Sequence, residues 1–336
     1  VRWQPPTSME RSSWAMTCIG LRCPLRPDPL NISRAPGVHA SQYVAWMDFG
    51  IVFANTGPFV EPDAAAAFAS HAEAAGFESL WTVEHVVVPA GYESTYPYDP
   101  SGRMPGNDDA PIPDPLVWLS YLAAVTSRIR LATGILIVPQ RNPLVLAKQL
   151  ATLDALSGGR MEFGIGVGWL EEEFDALGVP FDDRGRRTDD YVVAMRALWA
   201  DERATHHGEF ASFDECVMRP QPRRGTIPVH VGGHSDAAAR RAGRLGDGFF
   251  PGKGDHAELE RLFGVARQAA FEAGRNPDVL TFTSGGNGAI GSRALDEVGE
   301  LAAMGVTRVV LPSFLFWQDT EEALARYGAE IIAKAP

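Results

Sequence analysis

At 336 residues, with 45% hydrophobic and 21% charged positions, the chain has ordinary globular composition and room for one large α/β domain or two smaller ones. A formal net charge of −12 argues against a nucleic-acid partner, because a phosphate backbone would be repelled. No apolar run approaches the roughly 18 residues that cross a bilayer, so no membrane partner is expected; the cysteines Cys18, Cys23 and Cys216 lack the spacing of a disulfide framework or a metal site and fit a reducing cytoplasm.

Residues 1–46 stand apart. They carry five arginines against Glu10 and Asp28, show no sustained period, and hold two of the three cysteines. TCIGL is interrupted too soon to be the apolar centre of a secretory signal. The stretch reads as a disordered leader, or as translated sequence upstream of a true start near Met47. The folded domain is taken as 47–336.

From Met47 onward short apolar strands alternate with amphipathic helices. Strands are predicted near 48–54, 79–85, 129–138, 161–168, 228–233, 248–252, 280–286 and 308–312. Between and after them, helices are predicted at 63–76, 115–127, 144–158, 188–200, 235–246, 256–274, 293–305 and 320–334. Gly76, Gly243 or Gly246, Gly274 and Gly305 fall where helices end. Eight strand–helix units imply parallel strands joined by crossovers, and a single closed (β/α)8 TIM barrel is the economical arrangement, with its active site at the C-terminal strand ends. A doubly wound open sheet is the rival. Residues 86–113, after the second strand, and 169–227, after the fourth, are too long for plain loops. The second contains a helix and an irregular arm, and both are expected to act as lids or binding loops.

The fourth strand runs into FGIGVGWLEEEF, residues 163–174. Its glycines, Gly164, Gly166 and Gly168, lie two apart, whereas a dinucleotide cradle needs G-x-G-x-x-G, and the sixth position here is Trp169. Two readings stay open: glycines that clear space for a flat ring at the barrel mouth, or glycines that permit tight strand packing. The better anion candidate is VHVGGHSDAAARRAG, residues 229–243. There a strand ends at Gly232-Gly233 and Ser235 opens a helix, so backbone N–H groups and a hydroxyl face outward together; plain capping by Ser235 is the alternative. Gly233-His234-Ser235-Asp236-Ala237 also has the outline of a degenerate hydrolase elbow, but no terminal histidine follows a later strand.

GFESLWTVEHVVVP, TGILIVPQRNPLVLAKQLATLDALSGGRMEFGIGVGW, FDDRGRRTDDYVVAMRALW and PVHVGGHSDAAARRAGRLGDGFF together resemble the bacterial luciferase-like superfamily of flavin and deazaflavin oxidoreductases. Within it the chain looks most like the actinobacterial subgroup that uses coenzyme F-420. The resemblance implies that Glu84-His85 stands at the cofactor's reactive face, with His85 handling a proton near neutrality and Glu84 orienting it. It implies a bulge or a non-proline cis peptide at Thr133-Gly134-Ile135 under the ring, and a phosphate loop at Gly232, Gly233, His234 and Ser235. Asn55 is expected at the ring edge or the substrate. Some flavin users place an arginine where this chain has Val167, between Gly166 and Gly168. That departure favours F-420 over FMN, although Arg184, Arg186 or Arg187 offers a substitute cation. Trp81, Trp169 and the tyrosines of 86–113 point to an apolar or aromatic substrate pocket.

The expected function is therefore hydride transfer between F-420 and an organic small molecule. The alternatives are an FMN-dependent monooxygenase fed by a separate reductase, and a non-catalytic flavin-binding protein. Many members of the superfamily are homodimers.

Overall fold

A computed structural model describes residues 47–106, 108–286 and 289–336, so the expectation for 1–46 lies outside the described residues. The first half of the fold runs β1 (Asp48–Val52), α1 (Pro62–Ala75), β2 (Ser79–Thr82), α2 (Pro115–Ala123), β3 (Arg130–Thr133), β4 (Leu136–Ile137), α3 (Pro143–Ser157) and β5 (Met161–Gly166). An excursion follows: α4 (Glu171–Leu177), α5 (Arg184–Ala200), β6 (Ala204–His207) and β7 (Ser212–Cys216). The second half is β8 (Val229–Gly232), α6 (Asp236–Leu245), β9 (Gly248–Phe250), α7 (His256–Glu272), β10 (Thr281–Gly285), α8 (Ala294–Ala303), β11 (Arg308–Pro312) and α9 (Thr320–Tyr327).

The sheet closes on itself. Neighbouring strands run β3, β2, β1, β11, β10, β9, β8, β5, and β5 returns to β3 through Leu131 opposite Met161 and Ala132 opposite Glu162. All these pairings are parallel, and the return excludes the open doubly wound sheet. Strand three is in two pieces, β3 and β4, separated at Gly134-Ile135, whose peptide is cis as the resemblance allowed.

Side chains alternate along each strand. Phe49, Ile51, Leu80, Leu131, Phe163, Val229, Val231, Phe249, Phe282, Val309 and Leu311 join the large core shared with the helices. Their alternates face the lumen, where Val52, Trp81, Ala132 and Val310 form a separate small cluster with Phe250 against it. Nearer the N-terminal strand ends the lumen is ionic. Glu162 meets the Arg130 guanidinium and His230 Nε2 (2.5 Å), and Glu78 takes two 3.0 Å bonds from Arg308, which also lies 5.2 Å from the Trp81 ring.

The helices start where the chain supplies caps. Asp114 accepts the N–H groups of Leu116 and Val117, and Asn142 those of Leu144 and Val145, each ahead of a proline at the first helical position. Gly76, Gly274 and Gly305 take positive φ past α1, α7 and α8, as expected. Gly243 has a different task inside α6. A Cβ there would fall 2.3 Å from the Ala266 carbonyl, so its absence lets α6 lie directly on α7. The arm after strand four is more regular than expected. It holds two helices and an antiparallel hairpin, β6 with β7, and the hairpin escaped the pattern because each of its strands buries only one residue.

Candidate active site

The period of two in Gly164 and Gly166 is a strand period, and both positions face the lumen with Glu162. A Cβ on Gly164 would meet the Thr133 carbonyl at 1.7 Å, with the Trp81 ring 3.3 Å away. A Cβ on Gly166 or on Gly232 would meet the side chain of Ile135, each at 2.4 Å. Ile135 thus lies across the top of the lumen in a seat made by two glycines, and it is itself half-buried. Close packing explains the glycines, and an apolar shelf at the mouth is its result. Gly168, at φ +85°, is bare because the Phe174 ring approaches.

His85 follows β2 at the same rim. Its side chain is only 9% exposed, and Nδ1 lies 3.0 Å from Oε2 of Glu173, which is fully buried at the start of α4. The other Glu173 oxygen accepts the N–H groups of Val86 (2.6 Å) and Val87 (3.3 Å). Burial pushes the Glu173 carboxyl up, but the hydrogen bond and charge of His85 and the Val86 N–H outweigh it and hold the group below the usual carboxylate range. An ionised carboxylate only accepts, so Nδ1 carries the proton of this hydrogen bond and Nε2 takes no part in it. Trp169 packs edge-on to His85 (5.7 Å), Tyr92 (5.5 Å) and Tyr96 (5.2 Å).

Glu84 does not orient His85. Its carboxylate accepts the Ile137 N–H (2.6 Å) and is paired with Arg141, which also reaches Asp114 (2.9 Å). It ties the end of β2 to β4, and burial raises its pKa despite the Arg141 charge. Asn55 is likewise committed: it donates to the carbonyls of Val83 and Pro113 and accepts the Val83 N–H, so its amide is not turned to a ring edge. Thr133 is buried, its hydroxyl donating to the Gly164 carbonyl at 2.6 Å. Trp81 is buried below Gly134, bonded to Ser79 Oγ (2.7 Å), and lines the lumen interior rather than a substrate pocket.

At the start of α6, Ser235 accepts the Ala238 N–H at 3.2 Å, the capping that the sequence allowed. Gly233 takes φ +121° and donates to the Phe250 carbonyl. His234 beside it has a buried Nδ1 with no hydrogen-bond partner among the described residues; burial, then the nearby Lys253 charge, lowers its pKa. Val167 is half-exposed between its two glycines. The structure therefore brings His85, Trp169, Ile135, Gly166 and Gly232 to the C-terminal rim, with His234 and Ser235 at the end of β8. It turns Glu84, Asn55, Thr133 and Trp81 to framework roles. Sequence reading missed Glu173, one of three consecutive acids suited to a helix start; only burial singles it out.

The family model described as luciferase-like monooxygenase matches residues 47–335. The chain belongs to this family. Among its relatives, an uncharacterised Mycobacterium tuberculosis protein is 36% identical over 244 residues, 72% of this chain and 82% of that one. An F-420-dependent glucose-6-phosphate dehydrogenase of Kineococcus radiotolerans is 33% identical over 64% of this chain and 60% of its own length. An FMNH(2)-dependent dimethylsulfone monooxygenase of Pseudomonas putida is 29% identical over 64% of this chain and 52% of its own. The coenzyme F-420-dependent tetrahydromethanopterin reductase of Methanopyrus kandleri superposes with a TM-score of 0.68 at 20% identity, over 86% of this chain and 99% of the other. The family is one of flavin- or deazaflavin-dependent oxidoreductases and monooxygenases, and its shared fold is this barrel.

If Glu173 holds the His85 tautomer, Glu173→Gln should slow family chemistry about 100-fold or more while cofactor affinity stays within about threefold. The amide would donate to Nδ1 instead of accepting from it. Single-turnover rates beside cofactor titrations read the two effects separately. Equal loss of binding and rate would mean that the residue only supports the fold.

Proposed function

We propose that this protein is an F-420-dependent oxidoreductase that moves hydride between the deazaflavin and an organic substrate. The observation that carries the reading is the His85–Glu173 pair on the same strand-end rim as the Ile135 shelf. A proton-handling group and an apolar platform for a flat ring stand together at the active face of the barrel. The orphaned Nδ1 of His234, next to the N-terminus of α6, fits the polar end of such a cofactor. When bound, the deazaflavin supplies hydride chemistry, and the protein supplies placement and proton control. His85 Nε2 would give or take the substrate proton, Glu173 would hold the ring, and Trp169 with Tyr92 and Tyr96 would keep water from the reacting face.

Support for F-420 over FMN comes from Val167, where some flavin users carry an arginine. Of the substitutes, Arg186 is paired with Glu209 and Arg187 with Asp183. One observation favours the second reading, an FMN-dependent monooxygenase. Arg184 is half-buried beside Gly168 and donates to the carbonyls of Gly168 and Phe181.

A paired titration of the purified protein with F-420 and with FMN, followed by cofactor fluorescence, tests the choice. Saturable binding of F-420 at least about tenfold tighter than FMN, a difference of about 1.4 kcal/mol, is expected. The reverse order, with oxygen consumption in the presence of reduced FMN, would move the protein to the monooxygenase reading.

A further inference from the structure

Residues 86–106 cross the barrel mouth from the end of β2 toward the loop after β9, and their two ends are held very differently. The near end is anchored on α4. Glu173 accepts the Val86 and Val87 N–H groups, Glu172 accepts those of Glu93 (2.6 Å) and Ser94 (3.0 Å), and Tyr92 is buried against Trp169. The far end rests on fewer contacts. Lys253 Nζ donates to the Pro97 carbonyl (2.5 Å) in an exposed bond. The Tyr98 ring lies edge-on to His234 at 5.0 Å and covers Gly252, where a Cβ would fall 2.2 Å from it. Between these ends Tyr96 N–H bonds to the Gly102 carbonyl and Gly102 N–H to that of Asp99, with no helix or strand among the described residues of the segment. The chain then returns to the anchored end, where Arg103 donates to the Tyr92 carbonyl (2.5 Å) and Met104 N–H to the Tyr92 hydroxyl (3.0 Å).

The place where the far end lands matters. His234 belongs to the turn, Gly232 to Ser235, that the proposed function gives to the polar end of the cofactor. We propose that residues 95–102 are a gate over this seat and that Tyr98 is its latch. Tyr98 must lift from His234 for the cofactor to enter or leave, and when closed it holds the cofactor's polar end against α6. The seat rests on the cofactor reading; the latch is a property of the protein alone. Local opening begins where buried contacts are few, so the segment should release at Tyr98 and stay fixed at Glu172 and Glu173.

Two measurements on wild type, Tyr98→Ala and Tyr98→Phe test the gate. Hydrogen exchange of the amides of residues 95–102 in the cofactor-free protein reports opening, since local opening is what exposes them to exchange. In Tyr98→Ala these amides should exchange about fivefold faster or more, and in Tyr98→Phe, which keeps the ring, close to the wild-type rate. Stopped-flow release of bound F-420 should be about tenfold faster in Tyr98→Ala, because affinity changes appear mostly in dissociation. Tyr98 is 39% exposed, so its truncation leaves the core intact, and Lys253→Ala gives a second, milder release of the same end. Unchanged exchange in both alanine variants would overturn the latch. Faster exchange with unchanged F-420 release would overturn the gate while the cofactor reading stands. Wild type that binds neither F-420 nor FMN would overturn the cofactor reading and the gate together, and the exchange rates would still decide the latch.

Discussion

His85→Ala is expected, on the proposed function, to lower the single-turnover rate of hydride transfer roughly 100- to 10,000-fold, the range that a positioned proton-transfer group contributes. Cofactor affinity should change little, because the Ile135 shelf and the start of α6 are built from other segments. The size of the effect follows from the surroundings. The ring is nearly buried, its Nδ1 is committed to Glu173, and Trp169 closes one side. Among the described residues nothing else at the rim duplicates it: the Glu84 carboxylate faces Arg141, and His234 belongs to the end of β8. Rapid-quench or stopped-flow turnover, with affinity measured separately, checks the prediction. A variant retaining a third or more of the wild-type rate would remove His85 from the chemistry and return the pair to a structural role.

Glu162→Ala should cost about 3–5 kcal/mol of stability, the usual consequence of removing one partner from a buried ionic group. Glu162 lies in the lumen between Arg130 and His230, and its loss leaves the half-buried Arg130 guanidinium short of one carboxylate. Urea unfolding measures the change, and a loss under 1 kcal/mol would mean that water enters the lumen and screens the cluster. The same residue sets an acid limb. Burial pushes the Glu162 carboxyl up, but the hydrogen bond from His230 and the charges of His230, Arg130 and Arg308 bring it down from 4.5 to about 2. Between those values the unfolded chain binds a proton that the folded one does not. The stabilisation is therefore complete above about pH 4.5 and drains as pH falls toward 2. Glu162→Gln should be less stable near neutrality and lose less on acidification from pH 6 to 3. An unchanged acid slope would assign that limb to other carboxyls.

Both predictions concern residues whose legibility differed. His85 was visible because it ends an apolar strand with a titratable group and stands in the segment that carries the family likeness. Glu162 drew no attention, since an acid inside MEFGIGVG is a single break in an apolar run, and nothing local says that arginines from β3 and β11 and a histidine from β8 meet it. Glu84 was misassigned for a related reason. Adjacent residues on an extended chain point to opposite sides, so the neighbour of His85 in sequence was the wrong place to seek its partner.

What the sequence alone determined is the architecture and the family. The period of two in the strands, the period near 3.6 in the helices and eight repeats of the pair are one-dimensional properties, and they give parallel strand–helix units with the working face at the C-terminal strand ends, whereas closure into a barrel was decided by the pairing of β5 with β3. What only the tertiary structure decided is which side chains serve each other. Glu173 reaches His85 across 88 residues, Ile135 fills the space that Gly166 and Gly232 leave, and Tyr98 lands on His234. Asn55 and Thr133 spend their polar groups on backbone before they can reach the mouth. These pairings are set by barrel closure, which joins segments distant along the chain. Hydrogen bonds and ring contacts depend on that geometry at the scale of an ångström, and no local pattern of residues encodes it.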